Sequence, residues 1–175
     1  MGAPDVDRLL AAVAAGELSV EDASRQLARL PFADLGHARI DHHRSHRQGF
    51  PEAVYGPGKS VIEIDEIVGE LLEHGEAPVI VTRATPEQVE VVLERSRATG
   101  LPVELSGPEG CATAVIRPAE DRGFAVVVIT AGTADGPVAD ECAAVLRACG
   151  LAPSVLRDRG VAGIHRLADA VDELA

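Results

Sequence analysis

Side chains able to do chemistry are concentrated in three stretches of this 175-residue chain. In AGTADGPVADECA, the residues Ala131, Gly132, Thr133, Ala134 and Asp135 offer backbone amides, a hydroxyl and a carboxylate, a set that can hold phosphate and ribose groups. In DRGVAGIHRL, the residues Gly160, Val161, Ala162 and Gly163 let backbone approach a ligand closely, and His165 and Arg166 follow at the start of an expected helix. The same glycines can equally serve tight turns, with Asp135 doing no more than capping its helix. The third stretch, DHHRSHRQGFPEAVYGPGKS, gathers Asp41, His42, His43, Arg44, Arg47 and the sole lysine, Lys59. His42 and His46 have the i, i+4 spacing of helical metal ligands, but the surroundings lack helical periodicity and offer no third ligand. No metal site is assigned there, and the cluster reads as solvated or nucleotide-facing. GPGKS has the ending of a phosphate-binding P-loop, yet the required first glycine falls on Ala53 and no buried strand is expected before it. A Walker motif is therefore rejected, and Lys59 is left as a surface or anion-facing residue.

A strand-loop-helix order would position both glycine loops. The β-branched run Ala125 to Thr130 predicts a strand covered on both faces. It turns at Gly132 into a helix whose cap and first turn come from Asp135, Gly136 and Pro137, and which ends at Gly150. A strand around Ser154 to Leu156, a glycine loop and a helix from about Ile164 repeat the plan. Two such units predict a parallel, doubly wound sheet, which binds ligands at the C-terminal ends of its strands. Two strands fall short of the roughly four to six usual in a sheet, so the sheet is expected to be incomplete, as in a fragment or truncated product.

Upstream, VDRLLAAVAAGELSVEDASRQLARL predicts two short helices parted at Gly16, with Ser19 as N-cap, Asp22 three residues on, and Pro31 closing the second. FADLGHARIDHHRSHRQGFPEAVYGPGKS shows little periodicity and reads as short strands and loops rather than core. Val61, Ile62, Ile64, Ile67, Val68, Leu71 and Leu72 recur at helical spacing up to Gly75. PVIVTRAT, which carries Arg83, is an expected strand; Thr85 and Pro86 open a further helix, and LPVEL is a short strand. The expected organisation is α/β: a small domain over 1–117, a polar PAEDRG link, and the first part of a second domain over 118–175.

A formal charge of -12 and a pI near 4.8 repel phosphate backbones, and no Lys/Arg stripe with interleaved aromatics offsets that, so nucleic acid is not an expected partner. Arginines such as Arg44 and Arg47 can still grip a small anionic nucleotide bidentately. No apolar run approaches the roughly 20 residues of a spanning helix, and MGAPDVDRLL lacks the pattern of a signal peptide. No membrane partner and a cytoplasmic location are expected. Cys111, Cys142 and Cys149 are odd in number with no Cys-x-x-Cys pair, fitting neither a disulfide framework nor a zinc knuckle. They read as reduced thiols, with Cys142 and Cys149 facing the core of their helix and Cys111 in a loop.

The loop pair AGTADGPVADECA and DRGVAGIHRL resembles the domain shared by aminoimidazole ribonucleotide carboxylases of the purine pathway and the pyridinium-3,5-biscarboxylic acid mononucleotide synthases of nickel-pincer cofactor biosynthesis. DHHRSHRQGFPEAVYGPGK followed by VTRAT is similar to the second family and foreign to the first, and the resemblance runs from about Leu9 to the last residue. It implies a flavodoxin-like fold in the second domain. It also implies a reaction on nicotinic acid adenine dinucleotide: the pyridinium ring is carboxylated, carbon dioxide or bicarbonate being the co-substrate, and the phosphoanhydride is hydrolysed to release AMP. In the family's chemistry a cysteine thiolate adds to the ring, the ring then attacks carbon dioxide, and thiolate loss restores aromaticity. The resemblance puts Gly132, Thr133 and Asp135 against ribose and phosphate, Gly160 and Ala162 beside the substrate, and His165 and Arg166 facing its anionic groups. Asp41, His42, His43, Arg44, Arg47, Lys59 and Arg83 are further candidates. It implies no tightly bound cofactor, leaves magnesium open as an accessory ion, and implies a homo-oligomer. There are two departures. Ala134 stands where the family commonly has serine, and the family's nucleophilic cysteine lies beyond the second strand-loop-helix unit, so no cysteine here inherits its role and the chain alone is expected to be inactive. The alternatives are an aminoimidazole ribonucleotide carboxylase or mutase, and a non-catalytic nucleotide-binding module.

Overall fold

The computed structural model describes residues 6–28, 32–41, 44, 49–160 and 168. Helices α1 (Val6–Ala14) and α2 (Val20–Ala28) pack together, and Leu9 on the first and Ala23 on the second are buried. The Ser19 hydroxyl caps α2, accepting the Asp22 N–H at 3.0 Å. Strands β1 (Phe32–Asp34) and β2 (Arg39–Asp41) form an antiparallel hairpin. Then come β3 (Ala53–Tyr55), α3 (Val61–His74), β4 (Val79–Ala84), α4 (Pro86–Thr99), β5 (Val103–Ser106) and β6 (Ala112–Ile116). These four strands make one sheet in the order β3-β4-β6-β5, with β3 parallel to β4 and the other pairs antiparallel. A second, two-stranded parallel sheet joins β7 (Ala125–Ile129) to β8 (Ala152–Leu156) through α5 (Gly136–Ala148). The α/β class read from the sequence is the class observed.

Local chemistry explains the helix starts. Ser60 and Glu63 form a reciprocal capping box on α3, and Thr85 and Gln88 form another on α4, with Pro86 in its first turn. Strand β4 is apolar on both sides because both sides are covered. Val79 and Val81 join Ile64, Ile67, Val68, Val92, Ala114 and Ile116 beneath α3 and α4. Ile80 points the other way, with Val115, onto Ala148, Cys149 and Val145 at the end of α5.

The structure corrects the reading of the elements as follows. Strand β6 was not anticipated, although it lies between β4 and β5 and four of its five residues are buried. The stretch 32–60 has the expected short strands, but it is not apart from the core, because Ile40 and Val54 belong to the main cluster. The strand from Ala125 is not covered on both faces among the described residues: Val127 is 37% and Ile129 45% exposed, alternating with half-buried Val126 and Val128. Both-face coverage belongs to β4 and β6 instead. The expected helix from Ile164 lies outside the described residues.

Helix α5 fixes the relative direction of the two sheets. Its last turn packs on Ile80 near the start of β4, while Glu141 in its second turn reaches Arg83 at the end of β4. It therefore runs antiparallel to β4, as it must to β7 and β8 as their crossover. Strands β3, β4, β7 and β8 accordingly all end on one side of the molecule. No described helix is long and apolar enough to cross a membrane.

Candidate functional site

That common side is a rim built from two loop pairs. The first pair follows β7 and β8. The buried Thr130 ties them together: its carbonyl accepts the Arg159 N–H at 2.8 Å and its hydroxyl the Asp158 N–H at 3.3 Å. A Cβ on Gly160 would sit 2.7 Å from the Ala131 carbonyl oxygen, closer than real side chains approach, so glycine is what lets the loops touch. Gly132, Thr133, Asp135 and Gly160 thus occupy one place on the rim, with Thr133 and Asp135 exposed. Ala162, His165 and Arg166 lie outside the described residues.

Asp135 departs from its expected role as helix cap. A single 3-10 turn, Thr133–Asp135, precedes α5, and the Asp135 side chain makes no cap hydrogen bond to that helix. Its carboxylate accepts the Gly132 N–H at 3.0 Å, and its own N–H donates to the Gly132 carbonyl at 3.2 Å. Two of the backbone amides expected to face a ligand are therefore engaged inside the loop. The carboxylate is a loop tie that keeps further acceptor capacity, since an ionised carboxylate has about four lone-pair sites.

The second loop pair follows β3 and β4. No buried strand was expected before GPGKS; a short strand, β3, does run into it, with Val54 6% exposed between the exposed Ala53 and Tyr55, and the Ala53 departure from a P-loop stands. Gly56 lies so close to β4 that a Cβ would meet the Gln88 amide oxygen at 2.8 Å and the Thr82 carbonyl at 2.9 Å. Gln88 is the organiser. Its buried amide donates to the Gly56 carbonyl (3.0 Å) and the Lys59 carbonyl (2.7 Å) and accepts from the Thr85 N–H (3.0 Å). Lys59 turns its ammonium back to the Tyr55 carbonyl at 3.0 Å. Arg83 lies 5.6 Å over the Tyr55 ring and reaches both Glu141 oxygens at 2.8 and 3.4 Å. The Glu141 carboxylate, by hydrogen bond and by charge, holds the Arg83 guanidinium above its ordinary pKa.

Neighbouring carboxylates on α5 link the two loop pairs. Glu141 takes Arg83 from the first sheet, and Asp140 takes Arg157, just past β8, which also donates to the Gly136 carbonyl at 3.4 Å. The structure thus brings Arg83, Lys59 and the 131–135 loop to one rim. Of the remaining candidates, Asp41 sits at the end of β2 with its N–H on the Glu52 carboxylate at 3.1 Å, and Arg44 is exposed. His42, His43 and Arg47 lie outside the described residues. Sequence reasoning missed Gln88, Tyr55, Asp140, Glu141 and Arg157. Thr85-x-x-Gln88 has the spacing of a capping box and was legible; the arginine-carboxylate pairs leave no local signal. The expected core-facing placement holds for Cys149, buried with its thiol pushed up by desolvation, but not for Cys142, which is exposed on α5. Cys111 is half-buried in the bend before β6.

The fold and rim define an α/β protein with the strand ends of two sheets gathered around one crossover helix. Residues 32–100 match the LarB/PurE-like N-terminal domain. An uncharacterized protein of Methanocaldococcus jannaschii, MJ0165, is 30% identical over 174 aligned residues, covering 95% of this chain. The chain spans 66% of the length of that relative.

Proposed function

We propose that this chain belongs to a carboxylase of the LarB type, acting on the pyridinium ring of nicotinic acid adenine dinucleotide in nickel-pincer cofactor biosynthesis. The observation that carries the reading is the LarB/PurE-like N-terminal domain over 32–100, continued in the same chain by paired glycine loops at the ends of β7 and β8. In this reading Thr133 and Asp135 hold ribose hydroxyls and phosphate beside Gly132 and Gly160, and His165 and Arg166 face the substrate's anionic groups. Ala162, the Asp41 to Arg47 cluster, Lys59 and Arg83 serve the remainder. The co-substrate is carbon dioxide or bicarbonate, and the chemical step needs a thiolate that adds to the ring and leaves once the new carbon-carbon bond has formed and the ring proton is gone. None of the three cysteines is assigned that role. Cys149 is buried with a raised pKa, the opposite of an activated nucleophile.

The test offers the chain nicotinic acid mononucleotide, nicotinic acid adenine dinucleotide and aminoimidazole ribonucleotide by calorimetry, then labelled bicarbonate with each. The expected result is preferential binding of the pyridinium ligands, weakened by Asp135→Asn, without turnover by this chain alone. Label in a dicarboxylated mononucleotide, with AMP released, would assign the nucleophile to one of the three cysteines. Preference for aminoimidazole ribonucleotide would overturn the proposal in favour of the purine-pathway reading.

A further inference from the structure

Between β2, β3 and α3 lies a cavity of about 310 Å³ that neither glycine loop lines. Its floor is aliphatic, made of Ile40 and Val54 from the strands and Ile67 and Leu71 from the helix. The last two stand one helical turn apart, about 6 Å, so the floor is a track rather than a spot. At the rim end of that track are Tyr55, which closes β3, and Lys59, four residues on. The other charged or titratable groups of the wall are already engaged: Glu52 accepts the Asp41 N–H at 3.1 Å, His37 lies 3.4 Å from Glu66, and Arg39 lies 3.3 Å from Asp34. Lys59 differs from them. Its half-buried side chain carries three N–H donors and gives one of them to the Tyr55 carbonyl at 3.0 Å, which leaves two.

We propose that this cavity binds a short-chain aliphatic carboxylate, its head on the Lys59 ammonium and its tail along Val54, Ile67 and Leu71. The chemistry of the walls selects that class. One ammonium with donors to spare matches a monoanion, and the Glu52 carboxylate on the same wall disfavours a second negative charge. The floor offers no hydrogen bond to a polar tail, which would lose its water without replacement, whereas an aliphatic tail gains by leaving water. Size agrees: ligand pockets run upward from roughly 300 Å³, and this one lies at the small end. The inference asks nothing of the β7 and β8 loops and stands whether or not the dinucleotide reading holds. Where both hold, Lys59 serves one ligand at a time, and the carboxylate competes with the dinucleotide.

Hexanoate is the probe, titrated into the full chain by calorimetry while the emission of Tyr55, the sole tyrosine in a chain without tryptophan, is followed in parallel. Both signals should trace one isotherm. Affinity should climb about threefold to fourfold for each methylene added from butyrate to hexanoate, as the tail reaches further along the floor. Hexanamide keeps the tail and loses the charge, and should bind about tenfold more weakly or worse. Lys59→Met keeps the apolar stem and should weaken hexanoate by a similar factor. Ala53→Phe, which places a ring at an exposed lining position, should block it with the circular dichroism unchanged, while Asp135→Asn leaves it untouched. The proposal is overturned by the absence of hexanoate binding, by equal affinity for acetate and hexanoate, or by hexanoate bound as well by Lys59→Met or Ala53→Phe as by wild type. Heat of binding without a change in Tyr55 emission places the ligand elsewhere and overturns it too. None of these outcomes touches the carboxylase reading, which the dependence of pyridinium mononucleotide binding on Asp135 decides by itself.

Discussion

Arg83 holds a left-handed backbone, φ 52°, a region that disfavours any residue with a Cβ. Its guanidinium compensates by gripping Glu141 and covering Tyr55. Two substitutions separate backbone from side chain. Arg83→Ala and Arg83→Gly both lose the ion pair, but only glycine relieves the strain, so Arg83→Gly should unfold at the higher denaturant concentration. Equal midpoints would refute the strain argument. Cys149 supplies a pH signature. Burial raises its thiol pKa, so from roughly pH 9 upward the unfolded chain has released a proton that the folded chain keeps. Stability should therefore fall with rising pH in that window, and Cys149→Ala should flatten the slope while lowering the plateau. A thiol reagent at neutral pH should label exposed Cys142 first and Cys149 last; the reverse order would show that α5 does not seal against the first sheet.

At the scale of elements, the loop after β3 is held by one side chain. Gln88→Ala leaves the carbonyls of Gly56 and Lys59 and the Thr85 amide without their partner, at a cost of about 2–4 kcal/mol in urea unfolding. A change under about 0.5 kcal/mol would mean that water replaces the amide freely. The loop after β7 is lighter. Asp135→Asn keeps an acceptor for the Gly132 N–H and should leave stability nearly unchanged, whereas Asp135→Ala should cost about 0.5–1.5 kcal/mol. Ligand affinity is the separate readout: if the carboxylate holds ribose hydroxyls, Asp135→Asn weakens the pyridinium mononucleotide by about 1.5–3 kcal/mol. The helices and β4, β5, β7 and β8 were legible because periodicity and capping residues mark them locally. Strand β6 was not, since Ala112, Thr113 and Ala114 dilute its apolar signal and its burial comes from partners distant in sequence, β4 on one side and α5 on a face. The exposure of β7 was misread for the complementary reason. A continuous apolar run states what a strand can bury and not what is present to cover it. The rim followed the same division: the glycine loops were visible as residue types, while the meeting of Arg83 with Glu141 spans 58 residues and is written only in the packing.

For the whole molecule, α5 decides whether the two sheets behave as one body. The boundary proposed near residue 117 rests on the polar link, and 119–124 are indeed exposed. Yet the link is tied at both ends, with the Ala119 N–H on the Ala148 carbonyl at 2.9 Å and the Arg122 N–H on the Gly150 carbonyl at 2.8 Å. Helix α5 and its C-cap bury Ala148 and Cys149 on Ile80 and Val115 while the helix closes over β8. Covalent flexibility and packing therefore point in opposite directions, and hydrogen exchange can weigh them. Ile80→Ala removes a side chain 1% exposed from the seam and should cost about 2–5 kcal/mol. If the seam makes one cooperative unit, amides of β7 and β8 open only with global unfolding, and they should exchange about 30-fold faster or more in Ile80→Ala, in step with those of β4 and β6. If the link separates two units, the substitution accelerates exchange in β4 and β6 and leaves the Val126 and Val128 amides at the wild-type rate. The extent of the α5 contact favours the first outcome, in which the rim keeps a fixed geometry and a ligand bound at the β7 loop stabilises the LarB/PurE-like segment as well.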